Sequence, residues 1–173
     1  MMLLGTSGTF TYGGGTVYGY TNLPSRATKT NMPVPDGTNG PAVLTAILAL
    51  RQLLIADRHF GPFVFYVNSQ WAGVLDNDFS SAKGDSTLRQ RILAIDQIQD
   101  VRTLDFLPTT NWDCLLVEMN SLNARMVVGM EIQTIQWETD GGMRKHFKVM
   151  CIQVPQVRAD TAGNSGVAHG TTA

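Results

Sequence analysis

A continuous apolar run, Phe63–Val67, places the strongest constraint on how this chain can fold. It consists of aromatic and β-branched residues without a polar break, a pattern typical of a strand covered on both faces. Gly61-Pro62 precedes the run and ends any helix before it. Ser69, just after the run, can cap a short helix whose inward face begins at Trp71. A buried strand between two helices predicts a layered unit with the sheet at its centre.

The segment before this strand is predicted to be a helix over residues 42–57. Asn39 or Gly40 can cap it, and Pro41 suits its first turn because proline lacks an amide hydrogen that a first turn leaves unpaired. Its larger apolar residues recur at helical spacing and predict a buried stripe of Val43, Ile47, Leu50 and Leu54. Its smaller residues predict a second, flatter stripe that another element approaches closely, namely Thr45, Ala49, Gln52 and Ala56.

Strands are predicted to dominate the second half of the chain. The longest two cover residues 126–137 and 143–154, and Asp140-Gly141 between them is typical of a tight hairpin turn. Residues 1–40 are rich in glycine and proline, which predicts loops and short edge strands. Residues 159–173 are small and polar, which predicts a flexible tail.

Composition and charge argue against several classes of protein. With 173 residues, 43% of them hydrophobic, the chain is long enough for one domain with a substantial core. Its 13 basic and 14 acidic side chains give a net charge of −1, so no basic surface for tight nucleic-acid or membrane binding is evident. The sequence has no apolar run of membrane-spanning length and no secretory signal after Met1. Cys114 and Cys151 form no disulfide pattern, which favours a reducing compartment.

Motifs for ligand binding are incomplete wherever the sequence suggests one. The glycines at 13–15 begin a dinucleotide fingerprint, but Tyr18 occupies a position that requires glycine. Asp76, Asp78 and Ser80 match the start of a calcium loop whose later ligands are missing. The histidines share no metal-ligand spacing; they are His59, His146 and His169. We therefore predict no cofactor and no metal site.

Catalytic side chains are equally isolated. Cys114 lies at the head of an apolar strand, where a thiol behaves as a small hydrophobic group. Glu118 and Glu131 lie on predicted strands and could face each other across a cleft, although solvated carboxylates are the default interpretation. We predict no catalytic residue and no enzymatic activity. A folded α/β chain without such chemistry often works by assembling.

The order of these segments resembles the shell proteins of tailed bacteriophages and encapsulins. In that family a glycine-rich segment leads into a helix, a Gly-Pro-aromatic strand, a capped helix, a polar loop, a second helix, and a strand ending in Val-Val-Gly. The corresponding segments are 15–22, 42–57, 61–67, 69–71, 76–86, 88–95 and 127–131. The likeness spans about residues 12–155 and departs mildly at Met130 and Glu131, where the family often has glutamine and aspartate.

The resemblance implies an α+β fold of the Hong Kong 97 type, mostly the axial domain with part of the peripheral domain. It divides the chain into a loop-rich peripheral segment at 1–40, an axial domain with returning peripheral strands at 41–158, and the flexible tail at 159–173. Family members carry an N-terminal arm, an extended loop and a spine helix before this region. The chain is therefore expected to be the C-terminal portion of a shell protein.

The implied function is that of a major capsid protein of a phage or prophage, a self-assembling subunit located in the virion and assembled in the host cytoplasm. Its implied partners are copies of itself in pentamers and hexamers, an upstream N-terminal capsid segment or other virion proteins, and packaged DNA bound weakly and non-specifically, with no membrane. An encapsulin-type nanocompartment shell is the first alternative. A small soluble α/β enzyme or ligand-binding domain is the second.

The resemblance implies roles for two sets of residues, one at a symmetry axis of the shell and one in the core of the subunit. The loop 76–86 is expected to project toward a fivefold or sixfold symmetry axis, with Asp76, Asn77, Asp78, Phe79, Lys83 and Asp85 as its marked members. The expected core anchors are Phe63, Phe65, Trp71, Val127 and Val128.

Overall fold

In a computed structural model, the chain forms a mixed α+β body and a long two-stranded ribbon. The structure describes residues 10–12, 15–78, 86–109 and 111–172. The helices are α1 (Gly40–Ala56), α2 (Trp71–Leu75) and α3 (Leu88–Leu93). The strands are β1 (Phe10–Tyr12), β2 (Gly15–Val17), β3 (Ala27–Lys29), β4 (Phe63–Val67), β5 (Ile98–Thr103), β6 (Cys114–Glu118), β7 (Ala124–Thr139), β8 (Arg144–Val157) and β9 (Val167–Gly170).

A five-stranded sheet in the order β3-β9-β6-β4-β5 forms the centre of the body. β4 lies between a parallel neighbour, β5, and an antiparallel neighbour, β6. Its apolar run suits this place because side chains on both faces of the strand are covered. Phe63, Phe65 and Val67 have no exposed surface, and Val64 is also buried. The prediction of a strand covered on both faces is confirmed here.

Apolar side chains cover both faces of this sheet, and β6 contributes to each in turn. Cys114 and Leu116 belong to a cluster on the face that α1, α2 and α3 cover. Leu115 and Val117 belong to a second cluster on the opposite face. This alternation follows from the period of two along a strand. The second cluster is smaller and comprises Tyr20, Leu23, Leu107, Leu115, Val117 and Val167.

α1 packs on the sheet through one face only. It begins after Asn39 with Pro41 in its first turn, as predicted, and ends at Ala56. The predicted buried stripe is fully buried: Val43, Ile47, Leu50 and Leu54. The prediction that the smaller residues meet another element is wrong for the single chain, because Thr45 and Gln52 are exposed and Ala49 is half-buried. A surface helix over a sheet has one face to bury, and here the larger side chains occupy it.

The prediction of a flexible tail at 159–173 is wrong, because β9 is an interior strand. It pairs in parallel with β3 and antiparallel with β6. A Cβ on Gly170 would lie 2.7 Å from the Cys114 sulfur, and a Cβ on Gly166 would lie 2.6 Å from Oε2 of Glu118. The small residues that suggested mobility are therefore needed for close packing at the centre of the sheet.

β7 and β8 pair with each other from end to end and form the ribbon, residues 124–157. The turn at Asp140–Gly142 joins them, as the Asp-Gly dipeptide predicts, with Gly141 at a φ of 65°. Val127 and Val128, expected as core anchors, lie on the ribbon and are 41% and 49% exposed. That expectation is wrong for the single chain, because a two-stranded ribbon has no second layer to cover its faces.

Candidate interaction surfaces

The ribbon concentrates the exposed apolar surface of the described residues. Eleven of the 20 exposed large apolar side chains there belong to residues 124–157. Successive side chains on a strand point to opposite faces, and cross-strand partners share a face. By this register Ile135 and Trp137 lie on one face of the ribbon, and Phe147 and Val149 lie on the other. Monomeric proteins rarely expose contiguous apolar surface on this scale, so the ribbon is the leading candidate for an interaction surface.

Charged residues are divided unequally between the two strands of the ribbon. β8 carries three basic residues and no acidic one: Arg144, Lys145 and Lys148. β7 carries two acidic residues and one basic residue: Glu131, Glu138 and Arg125. Glu138 forms an ion pair with Lys145 at 3.3 Å across the ribbon, and Asp140 forms one with Arg144 at 3.3 Å. Both pairs are exposed, so each contributes at most about 1 kcal/mol.

The ribbon is regular toward its turn and irregular near the body. Its register shifts between Val128 and Met130 and again between Met130 and Gln133. Beyond these shifts the pairing is continuous as far as Thr139, which lies opposite Arg144. In this regular part the rings of Trp137 and His146 stack with their centroids 5.2 Å apart. The distal half is thus a straightforward antiparallel ladder with two free outer edges.

A shallow groove lies where the ribbon joins the body. Its volume is about 360 Å³, and it is open and mostly apolar. Its lining comprises Tyr18, Leu23, Val127, Val154, Pro155, Gln156 and Val157. It holds no charged side chain and is better suited to contact with an apolar segment than to binding a polar small molecule.

A polar network fixes the two linkers that connect the ribbon to the sheet. Asn123 donates from Nδ2 to the Glu118 carbonyl at 3.0 Å and accepts from the Gly166 amide at 3.0 Å. The Arg158 amide donates to the Asn123 carbonyl at 2.8 Å. Because Asn123 is 4% exposed, its side chain would be costly to bury without these partners. The network holds both linkers at one point of the sheet.

A pair of titratable groups lies beside this network. His59 Nδ1 lies 2.6 Å from Oε2 of Glu118, with the two side chains 16% and 8% exposed. They border an open groove of about 380 Å³ that Arg158 and Asp160 also line. His59 Nε2 is buried and has no hydrogen-bond partner. The pair joins the end of α1 to the end of β6, and this structural role accounts for its geometry.

The carboxylates singled out in the sequence are not brought together by any bond in the described residues. Glu118 pairs with His59, whereas Glu131 is exposed on the ribbon. His146 stacks on Trp137, and a hydrogen bond of 3.1 Å joins its Nε2 to the Thr139 hydroxyl. The described residues contain no group of three or more His, Cys, Asp or Glu side chains placed to hold a metal ion. Nor does any helix there have the length and apolarity to cross a membrane.

The loop 76–86 is described only at its two ends. Asp76, Asn77 and Asp78 are described, whereas Phe79, Lys83 and Asp85 lie outside the described residues. Asp76 accepts a hydrogen bond from Arg89 Nε at 3.1 Å. Asp78 forms a β-bridge with Thr87, the residue that caps α3, so the two ends of the loop lie together. The role at a symmetry axis stays a prediction.

The two thiols are expected to differ in reactivity. Burial raises the pKa of Cys114 to about 12, and the neighbouring Asp113 carboxylate adds to the shift. Cys151 is exposed on β8. Because the thiolate is the reactive form, dilute folded protein should consume about one equivalent of a disulfide thiol reagent, and denatured protein about two. Cys151→Ser should abolish the reaction of the folded protein. Two equivalents from folded protein would contradict the burial of Cys114.

Comparisons with known proteins bear on family and fold. A sequence model of DUF6260, described as a family of unknown function, matches residues 2–170. No curated protein matches the chain. The capsid of Myoviridae phage XM1 is similar with a TM-score of 0.73 and 12% identity, covering 99% of this chain and 58% of that one.

Two further solved structures are similar at lower scores. A virus-like particle from Pyrococcus furiosus has a TM-score of 0.59 and 10% identity, covering 87% of this chain and 58% of that one. A chain of Mycobacterium phage Che8 has a TM-score of 0.53 and 13% identity, covering 86% of this chain and 54% of that one. The chain thus spans little more than half the length of these structures. The α+β architecture and these likenesses confirm the prediction of a Hong Kong 97-type capsid fold.

Proposed function

We propose that this chain, which belongs to the family DUF6260, is a structural subunit of an icosahedral shell. The observation that carries the proposal is its likeness, over 99% of its residues, to the capsid of phage XM1. The exposed apolar ribbon supports it, because a subunit needs surfaces that only neighbouring subunits cover. A fold alone does not dictate a function, so the exposed apolar surface of the ribbon is needed as independent support.

A phage or prophage major capsid protein is the form of shell protein that we favour. The likeness to the XM1 capsid covers more of the chain and has a higher TM-score than the likeness to the Pyrococcus furiosus particle. An encapsulin-type compartment is the alternative, and it would differ by enclosing protein cargo. An enzyme or ligand-binding domain receives less support, since His59 and Glu118 are held by each other and no further candidate group bonds to them in the described residues.

The body and the ribbon correspond, in this proposal, to two parts of a shell subunit. The five-stranded sheet with its helices forms the axial domain, and the ribbon belongs to the peripheral domain. The loop 76–86 faces a fivefold or sixfold axis. It carries Asp76, Asp78 and Asp85 against Lys83, so a ring of copies would gather negative charge and need hydration or cations to offset the repulsion.

The proposed partners follow from the same assignment. Copies of this chain form pentamers and hexamers, and an upstream capsid segment or another virion protein contributes the parts of a full-length subunit that the matched region does not include. Packaged DNA contacts the shell weakly, in keeping with a net charge of −1. The proposed location is the virion, after assembly in the host cytoplasm.

Electron microscopy of the purified chain tests this function. We expect closed particles or capsomer rings when the chain is produced with the coding sequence upstream of it, because burial of the ribbon requires neighbours. Sedimentation velocity should report the same species. In a reconstructed particle, the ends of loop 76–86 should lie beside a fivefold or sixfold axis. Monomers under every condition would reject the shell function, and a loop remote from every axis would reject the axial assignment alone.

A further inference from the structure

We propose that the ribbon joins copies of this chain edge to edge, with β8 of one copy lying beside β7 of the next. The inference deepens the shell function proposed above and rests on it, since it names a surface through which subunits meet. The partner of each ribbon edge is thus a second copy of this chain.

The outer edges of the ribbon are long and open to pairing. β7 and β8 have 16 and 14 residues and pair with each other alone among the described strands. The edge strands of the body are shorter: β3 has three residues and β5 has six. β5 also carries the exposed ion pair of Asp100 with Arg102 at 2.6 Å. Short, charged edges discourage pairing with another chain, whereas long edges with apolar side chains promote it.

The part of the ribbon nearest its turn is the part that suits such pairing. Half of the backbone amides and carbonyls of a two-stranded ladder point outward and lack partners in the sheet. The register is uninterrupted between Gln133 and Thr139, opposite Arg144 and Met150. Nearer the body, the two shifts in β7 disturb the outer edge, and irregularities of this kind oppose pairing. The contact between copies is therefore centred on this distal part and extends no closer to the body than Glu131, which lies between the shifted positions.

Charge selects which edges meet. Pairing β8 with β8 would place three basic residues beside three more, and pairing β7 with β7 would bring Glu131 and Glu138 of two copies together. Pairing β8 with β7 places basic beside acidic residues along the same ladder. Lys148 and Glu131 are exposed, and no ion pair involves either of them in the part of the chain that the structure describes. Each supplies a charge for a neighbour.

The resulting contact is head to tail. Each copy uses a different edge on its two sides, so the ribbons point in one direction and the strands alternate antiparallel through the joined sheet. Heterologous contacts of this kind close into rings when the rotation between copies divides a full turn. Joining the ribbons also brings Ile135 and Phe147 beside side chains of the neighbouring ladder, which removes apolar surface from water.

Charge reversal on one edge at a time tests the contact. The full chain would be compared with Lys148→Glu, with Glu131→Lys, and with an equimolar mixture of the two variants, by sedimentation over a range of concentrations. Each variant alone should associate at least about tenfold more weakly than the parent, because the reversed side chain replaces an attraction to the neighbouring edge with a repulsion. The mixture should regain parental association, because acidic edges again meet basic ones. Asp105→Lys, a reversal of an exposed charge outside the ribbon, should have no effect.

Several results would overturn the inference. The inference is wrong if the single variants associate like the parent, or if mixing them does not restore association. It is also wrong if the parent stays monomeric because another segment already covers the ribbon. Recovery on mixing cannot come from unfolded chains, and circular dichroism of each variant checks the fold independently. Particles that still form from Lys148→Glu would reject this contact and leave the shell function standing. Open fibres that require opposite charges, with neither capsomer rings nor particles under any condition, would support the contact and reject the shell.

Discussion

Removal of residues 165–173 is expected to leave a chain that does not fold. The deletion takes away β9, which lies between β3 and β6, so β3 loses its partner and the sheet divides. Val167 and Ala168 are fully buried and would no longer cover the two sheet faces. Domains of this size are stable by only about 5–15 kcal/mol, and the loss of an interior strand exceeds what such a margin tolerates. Circular dichroism should show no cooperative thermal transition.

Point substitutions separate the packing of β9 from the length of the chain. Gly166→Ala would force a Cβ to within 2.6 Å of Glu118 and 2.7 Å of Asn123, and overpacking of this kind costs about 1–3 kcal/mol. Gly73→Ala is the matched control, because a Cβ there meets nothing within 4 Å and lies in α2. That substitution should be neutral or stabilising, by up to about 1 kcal/mol. A cooperative transition in the truncated chain would contradict an interior position for β9.

Trp71→Ala is expected to lower the free energy of unfolding by about 3–5 kcal/mol. Trp71 is fully buried at the start of α2. Its ring centroid lies 5.9 Å from that of Phe65 and 6.4 Å from that of Trp112, both in edge-on geometry. Its Nε1 also donates to the Trp112 carbonyl at 3.1 Å. Substitution therefore creates a cavity and leaves a partly buried carbonyl without this donor.

Denaturant titration measures this change, with Trp137→Ala as the control. Trp137 is 46% exposed on the ribbon, so its loss should cost less than about 1 kcal/mol in the unassembled chain. Trp71→Phe should fall between the two, because the phenyl ring keeps most of the packing and loses the hydrogen bond. A decrease below about 1 kcal/mol for Trp71→Ala would mean that Trp71 does not anchor the core.

Elements with a strong local signal could be predicted from the sequence. The apolar run of β4, the stripe on α1 and the Asp-Gly turn of the ribbon each reflect interactions among neighbours in the chain. β9 could not be predicted in this way. It is short and built from small residues, and its place in the sheet is determined by contacts with Cys114 and Glu118, which are distant in sequence.

The interaction surfaces were only partly predictable for a related reason. The hairpin itself follows from local pattern, but the exposure of Val127 and Val128 depends on the absence of a second layer over the ribbon. The pair of His59 with Glu118 joins residues 59 positions apart and has no sequence signature. The basic residues of β8 and the acidic residues of β7 lie apart in the sequence as well, but the sequence does not show that both strands are sheet edges.

The way the ribbon is attached has a consequence for how the chain reaches its fold. β6 and β9 are neighbours in the sheet, and the whole ribbon lies between them in the chain. When the two strands of the ribbon pair locally, the ends of the ribbon come together. β9 then reaches β6 by closing a loop made only of the linkers 119–123 and 158–166, instead of the full segment of chain between the two strands. The entropy of loop closure grows with loop length, and hairpins form faster than distant strands meet. The outward-facing ribbon thus also brings β9 close to its position between β3 and β6.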